Sequence, residues 1–371
     1  MDARSIAISK AICAFFCFAL VLHYGLFSYL CAICRQWLIF LKGRKMDKKK
    51  PLVLVCLDTV DELYPMLEKH FEVIRPPKGR DFTKAEIIDR IGEVDALCSV
   101  FDIPIDREII DAGRNLRLIS NYAVGFNNID IEYARAKGIA VTNTPQAVIA
   151  PTAELAFALM LSATRRLAEL DRLLRKEQSN LQLSRLDRMG VDVFGKTLGI
   201  AGFGNIGRAV AMRAQAFGMH ILYYKRHRLD TAEEQTLGVR YATIEELFSE
   251  SDILSLHMPY NKDSHHFVDA QRLRMMKPEA ILINTARGAV VDEYALVEAL
   301  QKSVIAGAAL DVFEDNDRPD KRLYDLDNVV MTPHVGTQTY DARVGMAREL
   351  CNAMEGFFFR NGEGVPFVVR P

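Results

Sequence analysis

Three residues that handle protons and anions stand where apolar runs give way to polar turns. They are Arg287 after Ile281-Leu282-Ile283-Asn284, Asp311 after Ala308-Ala309-Leu310, and His334 after Thr332-Pro333. A histidine exchanges a proton with an alcohol or carbonyl near neutral pH, and an arginine holds a carboxylate through paired hydrogen bonds. Together they suit an oxidised or reduced hydroxy acid. Taken singly, His334 reads as a structural histidine and Arg287 as a surface ion-pair former. Their shared position at strand ends, where ligands of open α/β sheets gather, carries the functional reading.

A second constellation concerns phosphate. Gly202-Phe203-Gly204-Asn205-Ile206-Gly207 follows an apolar strand, Thr197 to Ala201, and opens a helical stretch that closes at Gly218. Such a turn brings backbone N–H groups and the positive end of a helix dipole to a pyrophosphate. Gly202 permits the tight turn, Gly204 leaves room for the phosphates, and Gly207 lets helix and strand pack closely. At the end of the next strand, Ile221 to Tyr224, an NAD site offers an acidic residue to the ribose 2′-hydroxyl. Here Lys225, Arg226 and Arg228 stand instead. Cations there suit a 2′-phosphate, so the expected cofactor is NADP in preference to NAD, the bland alternative being a solvated basic strand end.

The elements that must position these groups fit within 371 residues, half of them hydrophobic, with a net charge of -1. That is core enough for two ordinary domains and an appendage. The charge balance argues against a nucleic-acid partner, and no metal-ligand cluster stands out. Residues Ala11 to Cys34 are 24 positions without Asp, Glu, Lys or Arg. As a helix they would span a bilayer of about 30 Å. Lys42, Arg44, Lys45, Lys48, Lys49 and Lys50 follow, which by the positive-inside tendency leaves the catalytic domain cytoplasmic, hung from the membrane by its N-terminus. A second reading stands beside it: Met46-Asp47-Lys48 resembles a natural start, and residues 1 to 45 a gene-start error. Four of the seven cysteines lie in the apolar segment. That is no disulfide framework, and a reducing compartment follows.

From residue 51 short apolar runs alternate with helical stretches. Leu52 to Leu57, Ala96 to Val100, Leu116 to Ser120 and Ile139 to Thr142 read as strands of a small parallel α/β unit. A long amphipathic stretch, Thr152 to Lys176, precedes six further strands: 198–201, 221–224, 253–257, 280–284, 306–311 and 329–332. A final helix runs from Tyr340 to Phe358. The expected fold class is α/β with two Rossmann-like domains and a cleft between them, plus the N-terminal hydrophobic segment. Residues 51–150, completed by 335–371, form a flavodoxin-like substrate domain, and 151–334 a doubly wound NAD(P)-binding domain.

From Pro51 to about Phe358 the chain resembles the D-isomer-specific 2-hydroxyacid dehydrogenases, which include glyoxylate/hydroxypyruvate reductases, phosphoglycerate dehydrogenase and formate dehydrogenase. The matching signatures include Val124-Gly125-Phe126-Asn127-Asn128-Ile129-Asp130, the glycine turn, and Leu256-His257-Met258-Pro259. Asn284-Thr285-Ala286-Arg287-Gly288 with Val291-Asp292, Ala309-Leu310-Asp311-Val312-Phe313 and Thr332-Pro333-His334-Val335-Gly336 complete the set. The resemblance implies hydride transfer between nicotinamide C4 and substrate C2, with Arg287 clamping carboxylate and C2 oxygen and His334 as acid/base. It further implies that Asp311 holds the nicotinamide carboxamide, and that N–H groups near Val124 and Gly125 bind the substrate carboxylate. His257, Pro259, Thr285, Ala286 and Gly336 are expected to join the glycine turn around the cofactor. A homodimer built on the helices after Pro151 is implied as well.

One position departs from the family pattern. Where a Glu usually pairs with the histidine, this chain has Asn316, and an amide orients an imidazole without stabilising its charged form. Three readings follow. The chain is a reductase of small 2-oxo acids with a weakened base, a formate dehydrogenase-like hydride-transfer enzyme, or a cofactor-sensing binding protein. A register change bringing Asp315 or Asp317 to His334 would restore the usual pair.

Overall fold

The computed structural model describes residues 50–315 and 318–370. The first sheet begins with β1 (Leu52–Val55), β2 (Glu72–Ile74), β3 (Ala96–Ser99), β4 (Leu118–Asn121) and β5 (Ala140–Thr142), interleaved with α1 (Leu63–Glu68), α2 (Lys84–Ile91), α3 (Arg107–Ala112) and α4 (Ile131–Ala136). Strands covered by helices on both faces read as unbroken apolar runs, and β3, β4 and β5 are buried throughout. The helices start where a side chain can take an orphan N–H. Thr83 and Glu86 form a capping box on α2, and Asp106 and Asp130 cap α3 and α4. Five parallel strands lie in the order β2-β1-β3-β4-β5. This is the flavodoxin-like winding, with its switch point between β1 and β3.

Two helices, α5 (Ile149–Thr164) and α6 (Leu167–Glu177), occupy the region where the sequence suggests one continuous amphipathic stretch. The chain breaks at Arg166, which takes a left-handed φ of 55° and pairs with the buried Glu169 at 2.7 Å. The break separates different surroundings. α5 shares a core with the second sheet through Ala153, Ala156, Phe157 and Met160, whereas α6 leaves Leu167 and Leu174 exposed.

The second sheet comprises β6 (Thr197–Ala201), β7 (His220–Tyr224), β8 (Arg240–Tyr241), β9 (Ile253–Leu256), β10 (Ile281–Asn284), β11 (Gly307–Leu310) and β12 (Val329–Met331). Its helices are α7 (Asn205–Ala216), α8 (Thr231–Leu237), α9 (Ile244–Glu250), α10 (Ala270–Leu273) and α11 (Glu293–Gln301). All seven strands are parallel, in the order β8-β7-β6-β9-β10-β11-β12. This is the doubly wound order, and its switch point between β6 and β9 opens a crevice at the carboxyl ends of β6, β9 and β10.

The last helix, α12 (Tyr340–Phe359), lies on the first sheet, where Met346, Leu350 and Met354 join the core of Val53, Val55 and Cys98. The chain then adds β13 (Phe367–Val369) antiparallel to β5. Three strands escape the sequence reading: β2, β8 and β13. Each has only two or three residues at or near a sheet edge, too short for an apolar run to register. The apolar segment 11–34 lies outside the described residues; among those described, no helix is long and apolar enough to cross a membrane.

Candidate active site

The carboxyl ends of both sheets open onto one cavity of about 390 Å³. From the first sheet come Val124 and Gly125; from the glycine turn, Gly204, Asn205 and Ile206. His257 and Pro259 follow β9, Thr285, Ala286 and Arg287 follow β10, and Asp311, His334 and Gly336 follow β11 and β12. Residues more than 200 positions apart thus share one wall because strand ends converge there.

Arg287 is aimed by its neighbours. Asn284, the last residue of β10, accepts the Ala286 N–H at 3.0 Å and donates to the Arg287 carbonyl at 3.1 Å, folding the turn that carries the guanidinium. Gly288 must lack a side chain there, since a Cβ would overlap the Phe313 carbonyl. The guanidinium is half-buried, donates from Nη1 to the Ala286 carbonyl at 2.6 Å, and passes so close to Gly125 that a Cβ on that residue would overlap its Nη2. Burial pushes its pKa down, and among the described residues it forms no ion pair with a carboxylate. A buried cation without a counter-ion is costly, and an anionic ligand relieves that cost.

His334 sits in a strained turn with φ of 53°. Asp311 holds it there. Its carbonyl accepts the His334 N–H at 2.9 Å, while its carboxylate accepts from Thr332 Oγ1 at 2.6 Å, Val335 N–H at 2.8 Å and Gly336 N–H at 3.0 Å. Burial raises the Asp311 pKa against the pull of these three donors. A carboxylate has about four acceptor directions, so little capacity remains for another donor. The imidazole packs on Phe101 with ring centroids 4.7 Å apart. Its pKa is held down to about 4 by burial first, then by the charges of Arg287 and Arg343. It is therefore neutral at neutral pH, a weak base whose protonated form is scarce and gives its proton up readily. Asn316 and Asp317 lie outside the described residues.

The loop after β4 that brings Val124 and Gly125 to the cavity is braced by asparagines. Asn121 Nδ2 donates to the Gly125 carbonyl at 2.6 Å, Asn143 Nδ2 donates to Val124 at 2.8 Å, and Asn128 Nδ2 reaches Val100 and Ile103 at 2.8 and 3.1 Å. Ser99 and Asn121, register partners at the ends of β3 and β4, are buried and bonded at 2.8 Å. The backbone N–H groups of Val124 and Gly125 make no hydrogen bond among the described residues. Sequence reasoning missed these braces and also Tyr122 and Met346, which line the cavity. A buried polar residue closing an otherwise apolar strand is the signal that could have found Ser99 and Asn121.

The cofactor side is tested by its own geometry. Gly202 takes φ of 94°, and a Cβ there would stand 2.5 Å from the Met258 nitrogen; Gly207 lies against the Gly202 carbonyl. A Cβ on Gly204 meets nothing, so open space lies at the start of α7, whose first N–H groups have no intrahelical acceptor. Two buried polar atoms of the cavity wall, His257 Nδ1 and Thr285 Oγ1, have no hydrogen-bond partner among the described residues. His257 follows Leu256 and Thr285 follows its register partner Asn284, so the two orphans lie side by side on adjacent strand ends. Ser255 Oγ lies 2.8 Å from His257 Nε2, and desolvation of the ring lowers that imidazole's pKa to about 4. Orphaned polar atoms beside a free helix start fit a dinucleotide with its ribose and amide groups. Between pH 6.5 and 4 an unfolded chain takes up protons that His257 and His334 refuse when folded, so stability falls as pH falls through that window.

Lys225 and Arg226 do not line the cavity. They lie at the tip of β7, beside the glycine turn, where the Gly202 N–H donates to the Tyr224 carbonyl at 2.9 Å. Arg226 meets Asp263 at 3.1 Å. Arg228 is occupied: its guanidinium forks onto Glu234 with both contacts at 2.8 Å, and Glu234 also accepts from Tyr223 Oη at 2.6 Å. Of the three bases at this strand end, Arg228 serves the fold.

Comparison with known proteins agrees with this geometry. Residues 157–336 match the family model described as D-isomer specific 2-hydroxyacid dehydrogenase, NAD binding domain. The chain is 42% identical over 323 residues to a glyoxylate reductase of Thermococcus onnurineus, covering 86% of this chain and 96% of that one. It is 43% identical to the glyoxylate reductase of Thermococcus kodakarensis with the same coverage. Among solved structures, it superposes with a TM-score of 0.75 on an NADPH-dependent glyoxylate/hydroxypyruvate reductase of Sinorhizobium meliloti in complex with NADP and malonate. That chain is 30% identical, with 86% of this chain and 97% of the other covered. The chain belongs to the D-isomer specific 2-hydroxyacid dehydrogenase family and is an oxidoreductase acting on CH–OH donors with NAD or NADP as acceptor.

Proposed function

We propose that this enzyme is an NADP(H)-preferring reductase of small 2-oxo acids such as glyoxylate or hydroxypyruvate, giving the D-hydroxy acid. The observation that carries the reading is the half-buried guanidinium of Arg287, which forms no ion pair among the described residues, in the same cavity as the half-buried imidazole of His334. When bound, the reduced nicotinamide supplies a hydride to substrate C2. The Arg287 fork holds the carboxylate and the C2 oxygen, and backbone N–H groups of Val124 and Gly125 take the remaining carboxylate oxygen. His334 delivers a proton to the C2 oxygen in reduction and removes it in oxidation. The glycine turn, with Thr285 and His257, holds the dinucleotide; Lys225 and Arg226 meet its 2′-phosphate. In this reading residues 51–150 with 335–371 form the substrate domain and 151–334 the nucleotide domain.

A homodimer completes the proposal. Phe194, Leu186 and Met189 are 79%, 76% and 64% exposed, in the stretch of chain that follows the exposed Leu167 and Leu174 of α6. So many large apolar side chains on one segment mark a surface that another chain covers.

Three measurements test this reading. Mixed with NADPH and glyoxylate or hydroxypyruvate, the native enzyme should deplete the reduced-nicotinamide absorbance. Arg287→Ala and His334→Ala should each lower kcat/KM by about a hundredfold or more, with NADPH affinity within about threefold of native. Preserved turnover in both variants removes their assignment, and tight NADPH binding without turnover in the native enzyme favours the cofactor sensor. Because the proton-donating form of His334 is scarce above its lowered pKa, kcat/KM for reduction should rise toward about tenfold per unit as pH falls from 7 to 5. A profile flat across that range contradicts a depressed imidazole. Finally, sedimentation velocity should show a native dimer and a Phe194→Glu monomer; an unchanged sedimentation coefficient in the variant contradicts the apolar interface.

A further inference from the structure

The turn after β9 carries an anion to the place where a 2′-phosphate is expected. It begins at Met258, Pro259 and Tyr260, which line the cavity, and is locked by its own hydrogen bonds. Ser264 Oγ accepts the Asn261 N–H and donates to the Pro259 carbonyl, both at 2.8 Å, and Asn261 Oδ1 accepts the Asp263 N–H at 2.9 Å. The Asp263 backbone is thus held in place, and its Oδ2 lies 3.1 Å from Arg226 Nη2 across the gap between the tips of β7 and β9. Arg228 is committed to Glu234 and does not compete for this carboxylate.

We infer that Asp263 is a specificity-determining residue that stands in for the 2′-phosphate when NADH is bound. The inference rests on the proposal that Lys225 and Arg226 meet that phosphate. With a plain 2′-hydroxyl, Arg226 keeps Asp263 as its counter-ion and loses nothing. With a 2′-phosphate, Arg226 must turn from a singly charged carboxylate to a more highly charged phosphate, while Asp263 repels the newcomer. Asp263 therefore narrows the gap between the two cofactors, making the enzyme tolerant of both. The pair is exposed, 68% for Arg226 and 80% for Asp263, so solvent screens it and the effect is moderate.

The test is a titration of the full chain with NADPH and with NADH, followed by nicotinamide fluorescence, for the native protein, Asp263→Asn, Arg226→Ala and the double variant. Asp263→Asn should tighten NADPH about threefold or more and leave NADH unchanged, and the gain should be lost in the Arg226→Ala background. The inference is overturned if NADPH affinity does not move, if both cofactors move together, or if the full gain survives without Arg226. A native preference for NADH alongside a selective gain in Asp263→Asn removes the NADP(H) preference and keeps the role of Asp263. A native preference for NADPH with no gain does the reverse.

Discussion

A half-buried positive charge with no carboxylate partner among the described residues constrains the whole site. Arg287 is pressed against the backbone of Gly125, its forward bonding limited to one carbonyl, and no carboxylate among the described residues pairs with it. Such a group destabilises the folded chain unless an anion arrives, so the cavity is built to be completed by a ligand. The other features follow from it. Asn284 folds the turn that presents the guanidinium, Gly288 lets that turn pass Phe313, and the asparagines behind Gly125 hold the opposing wall. The same charge lowers the neighbouring imidazole, coupling anion binding to proton transfer: a bound carboxylate that neutralises Arg287 also makes it easier for His334 to hold a proton.

Asp311 has a different weight in the structure from the one its family resemblance implies. Its carboxylate takes three donors from the Thr332 to Gly336 turn, and its carbonyl takes the N–H of His334. The residue holds His334 in a left-handed backbone conformation that costs roughly 1–3 kcal/mol when unsupported. A contact to the nicotinamide carboxamide would have to use what acceptor capacity these bonds leave.

Much of this was legible in the sequence because the chemistry sits at the ends of long buried strands. Apolar runs announce parallel strands, and the residues that end them announce the crevice; Arg287, Asp311, His334 and the glycine turn are placed that way, whereas His257 enters through the family resemblance. The short strands β2, β8 and β13 gave no periodic signal, and the division of α5 from α6 depends on a single left-handed residue, Arg166. Side-chain pairing was beyond reach. Nothing in a row of three bases says that Arg228 folds onto Glu234 while Arg226 crosses to Asp263, because both partners come from elements whose positions only the tertiary structure fixes. The orphaned atoms of His257 and Thr285 were hidden for the same reason.

The central claim is that the Arg287 guanidinium occupies the space beside Gly125 and works from there. Gly125→Ala tests it most directly, since the added methyl would take the volume of Nη2 without removing any charged group. Steady-state reduction of glyoxylate by NADPH should fall about a hundredfold in this variant, while NADPH binding and the unfolding midpoint stay near native. Native turnover in Gly125→Ala would contradict the account.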